Sequence, residues 1–305
     1  MILTLTVNPA IDRIITADRL VFEDRAYILS RGESAGGRGI NASAVLHSFG
    51  APTFAILPSG GNSGPRFEAD LSILGFPYEI VPIEAPVRSN LILMDRQGLT
   101  IKLNEPGPAI TEGELARLES AVARHLSNAS WLMLVGSLPP GVPAGFYRSL
   151  IRQAHAAGVK TLLDTDGEIL QDAILEGPTA VTPNRQEASA LLNKSLITRQ
   201  HYRAAAARVL EMGAQSVVIS LGSRGAIGAR GDQFVEAVPP RVDAVSPIGA
   251  GDALNAAYAW AMARNDDFAD AVRWGVAAGS ASAKLPGMQF ANLQQTRELY
   301  EQIRV

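Results

Sequence analysis

The run Ser246-Pro247-Ile248-Gly249-Ala250-Gly251-Asp252-Ala253 holds two glycines one residue apart, with a carboxylate directly behind them. Leu254 to Arg264 follows, rich in Ala with Leu, Tyr, Trp and Met, and reads as a buried helix. A tight glycine turn therefore opens a helix whose first N–H groups have no partner inside it and sit at the positive end of its dipole. That is an anion site made of main chain, and glycine leaves room for a phosphate to approach. Asp252 would repel an anion unless it takes a proton from the group that attacks it. Amide donors for a phosphoryl group, with a base beside them, describe a phosphotransfer site. The competing structural reading is a helix N-terminus with a dipole-favoured acid.

Four further sets carry chemistry. Gly36-Gly37-Arg38-Gly39 with Asn41 lets backbone approach a polar ligand, or is a plain glycine loop with an N-cap. Gly37 to Ala42 also matches the loose dinucleotide fingerprint. That reading is set aside, because no strand is expected to end before it and no acid closes a second strand about 20 residues on. Arg25, Arg38, Arg88 and Lys102 lie in or beside two hairpin-like segments and suit an anionic substrate, since guanidinium binds phosphate bidentately. Asp12 can accept hydrogen bonds from sugar hydroxyls or be a surface acid. Asn184 and Glu187, three apart at a helix start, share one helix face. Their oxygens suit Mg²⁺ with retained waters, or an N-cap with an acidic first turn. Ser220-Leu221-Gly222-Ser223-Arg224-Gly225 is a second glycine loop. Gly275 to Ala283, which includes Gly279, is a small-residue helix for close packing or a wall against a ring.

These residues need a scaffold. Short apolar runs at Ile2 to Val7, Thr53 to Leu57, Trp131 to Val135, Lys160 to Leu163, Ala180 to Thr182 and Ser216 to Ser220 read as strands. The later ones alternate with helical segments, which predicts a parallel sheet covered on both faces. Polar and glycine residues cluster after each run, at the carboxyl ends where such sheets bind ligands. Helices are expected over Asn41 to Phe49 and Pro65 to Leu74. The hairpin-like regions 11–34 and 87–105 carry no helix between their strands and read as a small β lid. The expected organisation is a core of 1–10, 35–86 and 106–305 with that lid above it. Lid edges and apolar surface invite pairing with a second copy, a homodimer.

The totals narrow the class. The chain has 305 residues, 47% hydrophobic and 19% charged, enough for one large core. A net charge of −3 without a basic run argues against nucleic acid. There is no cysteine, which excludes disulfides, thiolate metal sites and a cysteine nucleophile. No segment is apolar and long enough to suggest a membrane partner, and Met1 to Val7 lacks a signal's flanks. A soluble cytoplasmic protein is expected. His47, His125, His155 and His201 are scattered and read as surface or core residues.

Gly249-Ala250-Gly251-Asp252 before an apolar helix, Gly36-Gly37-x-Gly39-x-Asn41 near the start and Asn184-x-x-Glu187 between them resemble the ribokinase-like (PfkB) carbohydrate kinases. The likeness spans essentially the whole chain. Thr4-Leu5-Thr6-x-Asn8-Pro9-Ala10-x-Asp12, Asn104 to Pro108 and Gly136 to Gly141 are similar to its sugar-phosphate branch, which includes 1-phosphofructokinase, tagatose-6-phosphate kinase and the minor 6-phosphofructokinase. The resemblance implies a three-layer α/β/α fold, with a mainly parallel sheet and a β lid that clasps a dimer. It implies ATP-dependent phosphorylation of a furanose phosphate, fructose 1-phosphate before tagatose or fructose 6-phosphate. Asp252 is then the base, and Gly249, Ala250 and Gly251 the anion hole. Asp12, Gly36, Gly37, Arg38, Asn41, Asn90 and Ser137 line the sugar, and Arg25, Arg88 and Lys102 its phosphate. Asn184, Ser220, Gly222, Gly225, Gly249, Gly251 and Gly279 border ATP, and Asn184 and Glu187 order Mg²⁺. Pro247 stands where the family usually has Thr, Ala253 where this branch often has Ser, and Thr182 and Arg38 where Lys is frequent. A non-catalytic sugar-phosphate sensor is the reading from another class.

Overall fold

The computed structural model describes residues 1–21 and 23–305; Phe22, inside the segment 11–34, lies outside the described residues. The strands in chain order are β1 (Ile2–Leu5), β2 (Ala10–Ala17), β3 (Ile28–Gly36), β4 (Thr53–Gly60), β5 (Tyr78–Ile83), β6 (Arg88–Asp95), β7 (Thr100–Asn104), β8 (Trp131–Val135), β9 (Lys160–Asp164), β10 (Ala180–Val181), β11 (Val217–Ser220), β12 (Ala226–Arg230) and β13 (Gln233–Ala237). Among the described residues they form two sheets. The larger has the order β13-β12-β11-β10-β9-β8-β1-β4-β5, parallel from β5 to β11 and antiparallel only at β12 and β13.

The near-continuous apolar runs are explained by this sheet's two covered faces. Successive side chains point to opposite faces. Ile2, Met133, Leu162 and Val218 accordingly pack with the helices Ala250–Asn265 and Phe268–Ala283. Their chain neighbours Leu3, Leu132, Leu163 and Val217 pack with the helices Glu112–Leu126, Phe146–Ala156 and Arg199–Glu211. The fold is the α/β layer arrangement expected from the pattern.

The smaller sheet runs β3-β2-β6-β7, with β2 and β6 parallel and the outer pairs antiparallel. Its register sets Asp12 opposite Asn90 and opposite Ser34, and Ile92 opposite Lys102. Period two then sends Asp12, Asn90 and Lys102 to one face and Ile15, Leu91, Leu93, Ile101 and Leu103 to the other. No helix among the described residues is long and apolar enough to cross a membrane.

Two strand elements lie outside the sequence expectations, and one expectation is corrected. β5 carries Pro82 and is the edge strand, where a missing N–H costs nothing. The hairpin β12–β13 follows the glycine loop at 220–225, and its turn residue Gly231 takes φ +55°. β3 runs on to Gly36, so a strand does end just before Gly37. It is a hairpin strand antiparallel to β2, however, not the first strand of a βαβ unit, so the dinucleotide reading stays excluded.

Gly225 shows how tightly the β12 edge is built. It has φ +88°, and a Cβ there would overlap the Ala237 carbonyl oxygen. Gly225→Ala should lower unfolding free energy by about 1–3 kcal/mol, read as an earlier urea midpoint; an unchanged midpoint would show that the hairpin relaxes freely.

Candidate active site

The helix Ala250–Asn265 begins directly after Gly249, which holds the left-handed conformation at φ +75°. Glycine is required there, because a Cβ would sit 2.6 Å from the Phe290 ring. No side chain caps this helix. The Ala250 N–H donates to the Pro247 carbonyl at 3.4 Å and Ala253 to Gly249 at 2.9 Å. The Gly251 and Asp252 amides are left without an intrahelical acceptor, at the positive end of the dipole. Among the described residues, this end opens into a cleft of about 560 Å³ between the carboxyl ends of the large sheet and the Asp12 face of the small one.

Asp252 lines that cleft, and its Oδ2 accepts a hydrogen bond from Asn41 Nδ2 at 2.7 Å. Burial pushes its carboxyl up to about 7, against the opposing pull of Asn41 and the Arg38 charge. At neutral pH the group is divided between acid and base forms, as a proton acceptor should be.

The small sheet supplies the opposite wall. Asp12 lies within β2, not in a loop after a strand as its position suggested. Its Oδ1 accepts from Asn90 Nδ2 at 2.8 Å, and burial raises its pKa against Asn90, Arg88 and Lys102. Gly36 stands behind it, where a Cβ would overlap the carboxylate. Arg88 donates to the carbonyls of Glu105 at 2.6 Å and Asn8 at 3.0 Å, and its Nε is buried without a partner. Lys102 lines the same end.

At the other end Arg38 gathers acids. Its Nη1 donates to Asp164 Oδ1 at 2.9 Å and its Nη2 to Glu187 Oε1 at 3.4 Å, with Asp166 at 3.8 Å. Asp164 Oδ2 accepts from Asn255 Nδ2 at 2.9 Å. Burial raises Asp164 and Glu187, with the guanidinium opposing. Asn184 and Glu187 form a reciprocal capping box on the helix Arg185–Leu192. Both line the cleft, as do Gly37, Ser137, Ser220, Gly249 and Gly251.

Several expected residues are not brought to the cleft lining. Arg25 is exposed in the turn beyond the far end of β2, where its N–H donates to Asp24. Five residues of strand separate Ala17 from Asp12, about 16 Å, too far for a side chain to return. Gly279 packs against the Ala250 carbonyl between two helices, at 2.8 Å from a would-be Cβ. Gly225 packs against the Ala237 carbonyl at the start of β12, Gly222 is exposed in a 3-10 turn, Gly36 lies behind Asp12, and Ala250 is half-buried off the lining. Conversely, Asp164, Asp166 and Asn255 line the cleft without having been assigned a role, beside Asn8 and Thr182, which were named only in family motifs. Two signals pointed to them: Asp164 and Asp166 follow a central strand, and Asn255 is one helical turn after Asp252.

Among the described residues no group of three His, Cys, Asp or Glu forms a metal cage. Mg²⁺ bound by phosphates and waters needs only one or two carboxylates. Asn184 and Glu187 already bond each other's backbone, so they fit contact through water.

A model of the pfkB family of carbohydrate kinases matches residues 5–295. This chain belongs to that family. ATP-dependent 6-phosphofructokinase isozyme 2 of Escherichia coli K12 is 32% identical over 302 residues, covering 98% of this chain and 97% of that protein. 1-Phosphofructokinase of Borreliella burgdorferi is 32% identical over 306 residues, covering 100% and 98%. Tagatose-6-phosphate kinase of Staphylococcus epidermidis is 27% identical over 308 residues, covering 100% and 99%. The crystal structure of E. coli phosphofructokinase-2 in complex with potassium matches with TM-score 0.90 at 33% identity, covering 98% of both chains. A structure of the tetrameric inhibited form of that enzyme matches at 0.88, with 33% identity over 98% of both chains.

For a pfkB-family kinase, the environment of Asp252 has a stability consequence. Its folded pKa, about 7, exceeds the ordinary 3.8, so the folded state holds the extra proton between those values. Stability contributed by this group is therefore lost as pH rises through that window. Asp252→Asn should melt a few degrees above the wild type at pH 8 and level with it at pH 4; differential scanning fluorimetry at both values checks this.

Proposed function

We propose that this chain is an ATP- and Mg²⁺-dependent kinase acting on a hydroxymethyl group of a furanose phosphate, converting fructose 1-phosphate to fructose 1,6-bisphosphate. The observation that carries the reading is one cleft holding three things: amide donors at a helix mouth, Asp252 beside them, and the Arg88–Lys102 pair across from them. A sugar phosphate lying between them has its anion on the cations and its free hydroxyl at Asp252. Asp12, Asn41 and Asn90 are the side chains that would hold the ring hydroxyls, with Ser137 and the Gly37 backbone beside them.

The acceptor oxygen gives its proton to Asp252 as it attacks the γ-phosphorus in line. The bond from phosphorus to the bridging oxygen breaks, and ADP leaves with the electron pair. The Gly251 and Asp252 amides stabilise the transferring oxygens. Mg²⁺, held through water by Asn184 and Glu187, would supply charge neutralisation along the nucleotide phosphates. The departure at Pro247 removes a hydroxyl and an N–H beside the hole but leaves these donors in place.

Fructose 6-phosphate and tagatose 6-phosphate are the alternatives, supported by the names of two relatives. They too put an anion at one end of a furanose and a primary hydroxyl at the other. Both substrates, nucleotide and sugar phosphate, are cytoplasmic metabolites, and we place the enzyme there. A second copy of the chain is the proposed cover for the outward face of the small sheet. Ile15, Leu91, Leu93 and Ile101 are only half-buried there, and Leu103 is 54% exposed.

Coupled ADP release over fructose 1-phosphate, fructose 6-phosphate, tagatose 6-phosphate and free ribose should give the highest kcat/KM with fructose 1-phosphate. Absence of ATP use with all of these sugars would defeat the kinase reading and leave the sensor. Asp252→Asn should cut kcat by ~10²–10⁴-fold with sugar binding retained by calorimetry. Leu93→Asp should turn a dimer into a monomer in sedimentation velocity; a wild type that sediments as a monomer sinks the lid clasp.

A further inference from the structure

Asn8 is 4% exposed and lies where the chain leaves β1 for β2, the first crossing between the two sheets. Its Nδ2 donates to the Pro106 carbonyl at 3.0 Å and to Ser137 Oγ at 3.1 Å. Its own carbonyl accepts from Arg88 Nη2 at 3.0 Å. Arg88 opens β6, the third crossing, and its Nη1 donates to the Glu105 carbonyl at 2.6 Å. Glu105 in turn accepts from the Ser89 N–H at 2.9 Å through Oε2. Residues 105–109 are the last crossing. Gly107 there has φ +98°, and a Cβ on it would overlap Asn8 Oδ1. Three crossings are thus tied in one knot, and the guanidinium at the sugar end is one of its strands.

Arg88 makes no ion pair among the described residues; two carbonyls hold it, and both belong to this knot. Its direction is therefore set by the Asn8 backbone and by where residues 105–107 lie beside it. They are held by the Asn8 amide, which is itself anchored to the large sheet through Ser137. A guanidinium fixed by neutral acceptors keeps its full charge for an arriving anion, and its fork needs the right angle to bind phosphate with two donors.

We infer that Asn8 is a positioning residue for the phosphate end of the sugar: its amide fastens residues 105–107, which aim Arg88, and it touches no reacting atom. This rests on the sugar-phosphate kinase reading above.

The test compares Asn8→Ala, Arg88→Met and the double variant with the wild type, after wild-type turnover of a fructose phosphate is established. Failure at that first step defeats the parent reading, and this inference with it. With turnover in hand, Asn8→Ala should raise KM for the sugar phosphate on the order of tenfold. Its kcat and its KM for ATP should stay within about twofold, and kcat/KM for free fructose, which has no phosphate to aim at, should not change. The double variant should be no worse than Arg88→Met alone, because the first residue acts through the second. Gly107→Ala, which pushes the same loop from the other side, should reproduce the sugar-phosphate KM rise and serves if Asn8→Ala does not fold. Additive losses in the double variant, or a KM for ATP that rises as much as that for the sugar phosphate, would overturn the assignment.

Discussion

A carboxylate and a phosphoryl group carry charge of the same sign, and the proposed reaction would bring them within one turn of helix. The positive end of the helix Ala250–Asn265 makes that tolerable: its free amides offset the anion, while burial keeps Asp252 at about 7 and thus half protonated when no substrate compels otherwise. Everything else follows from that pairing. Gly249 must take a left-handed turn so that the amides point into the cleft, and Asn41 must reach across from the small sheet's exit to fix the carboxylate. The large sheet sets the distance between the two.

Charge balance governs the remainder of the cleft. Asp164, Asp166 and Glu187 lie together where a polyphosphate would pass, a repulsive arrangement without Arg38 among them. Burial raises Asp164 and Glu187 even with that guanidinium present. The cation at this end is saturated with carboxylates, whereas Arg88 at the other end holds only carbonyls. The two ends therefore differ in what they offer an anion, despite sharing the same residue type.

How far the sequence could be read depends on how local each signal was. The glycine pair before Asp252 was legible because backbone freedom and helix dipole act within a few residues. The two sheets were legible from period two and apolar runs. β5 and the β12–β13 hairpin drew no expectation; each holds a residue that weakens a local strand pattern, Pro82 in one and Gly231 in the other, and tertiary pairing makes them strands. Arg25 looked like its companions because charge carries no direction; the length of β2 puts it out of reach. Gly279 read from its helix as a packing site before a wall, and was placed at ATP only by the resemblance; the Ala250 carbonyl lies beside it. The Asp164–Asp166 pair was legible only as a polar cluster after a strand; its role was not, because Asp-Thr-Asp-Gly has the composition of an ordinary turn and nothing in the residues says that Arg38, so distant in sequence, lies against it.

The threading of the chain bears on the order in which the molecule is built. β1 lies between β4 and β8, and the whole small sheet is contained in residues 10–104, before β8 begins at Trp131. During synthesis the small sheet and the β5-β4-β1 flank thus emerge first, with β1 exposing a bare edge until β8 leaves the ribosome. That edge, Ile2 to Leu5, is apolar but for Thr4, and unpaired backbone of this kind adds onto other chains readily. An early docking of the helix Arg38–Ser48 beside β1, through Val45 and Leu46, shields one face of the strand in the interval but not its hydrogen-bonding side. The nascent half-molecule is therefore the form of this protein most exposed to aggregation, and it exists because the small sheet is inserted ahead of the strand that completes the centre.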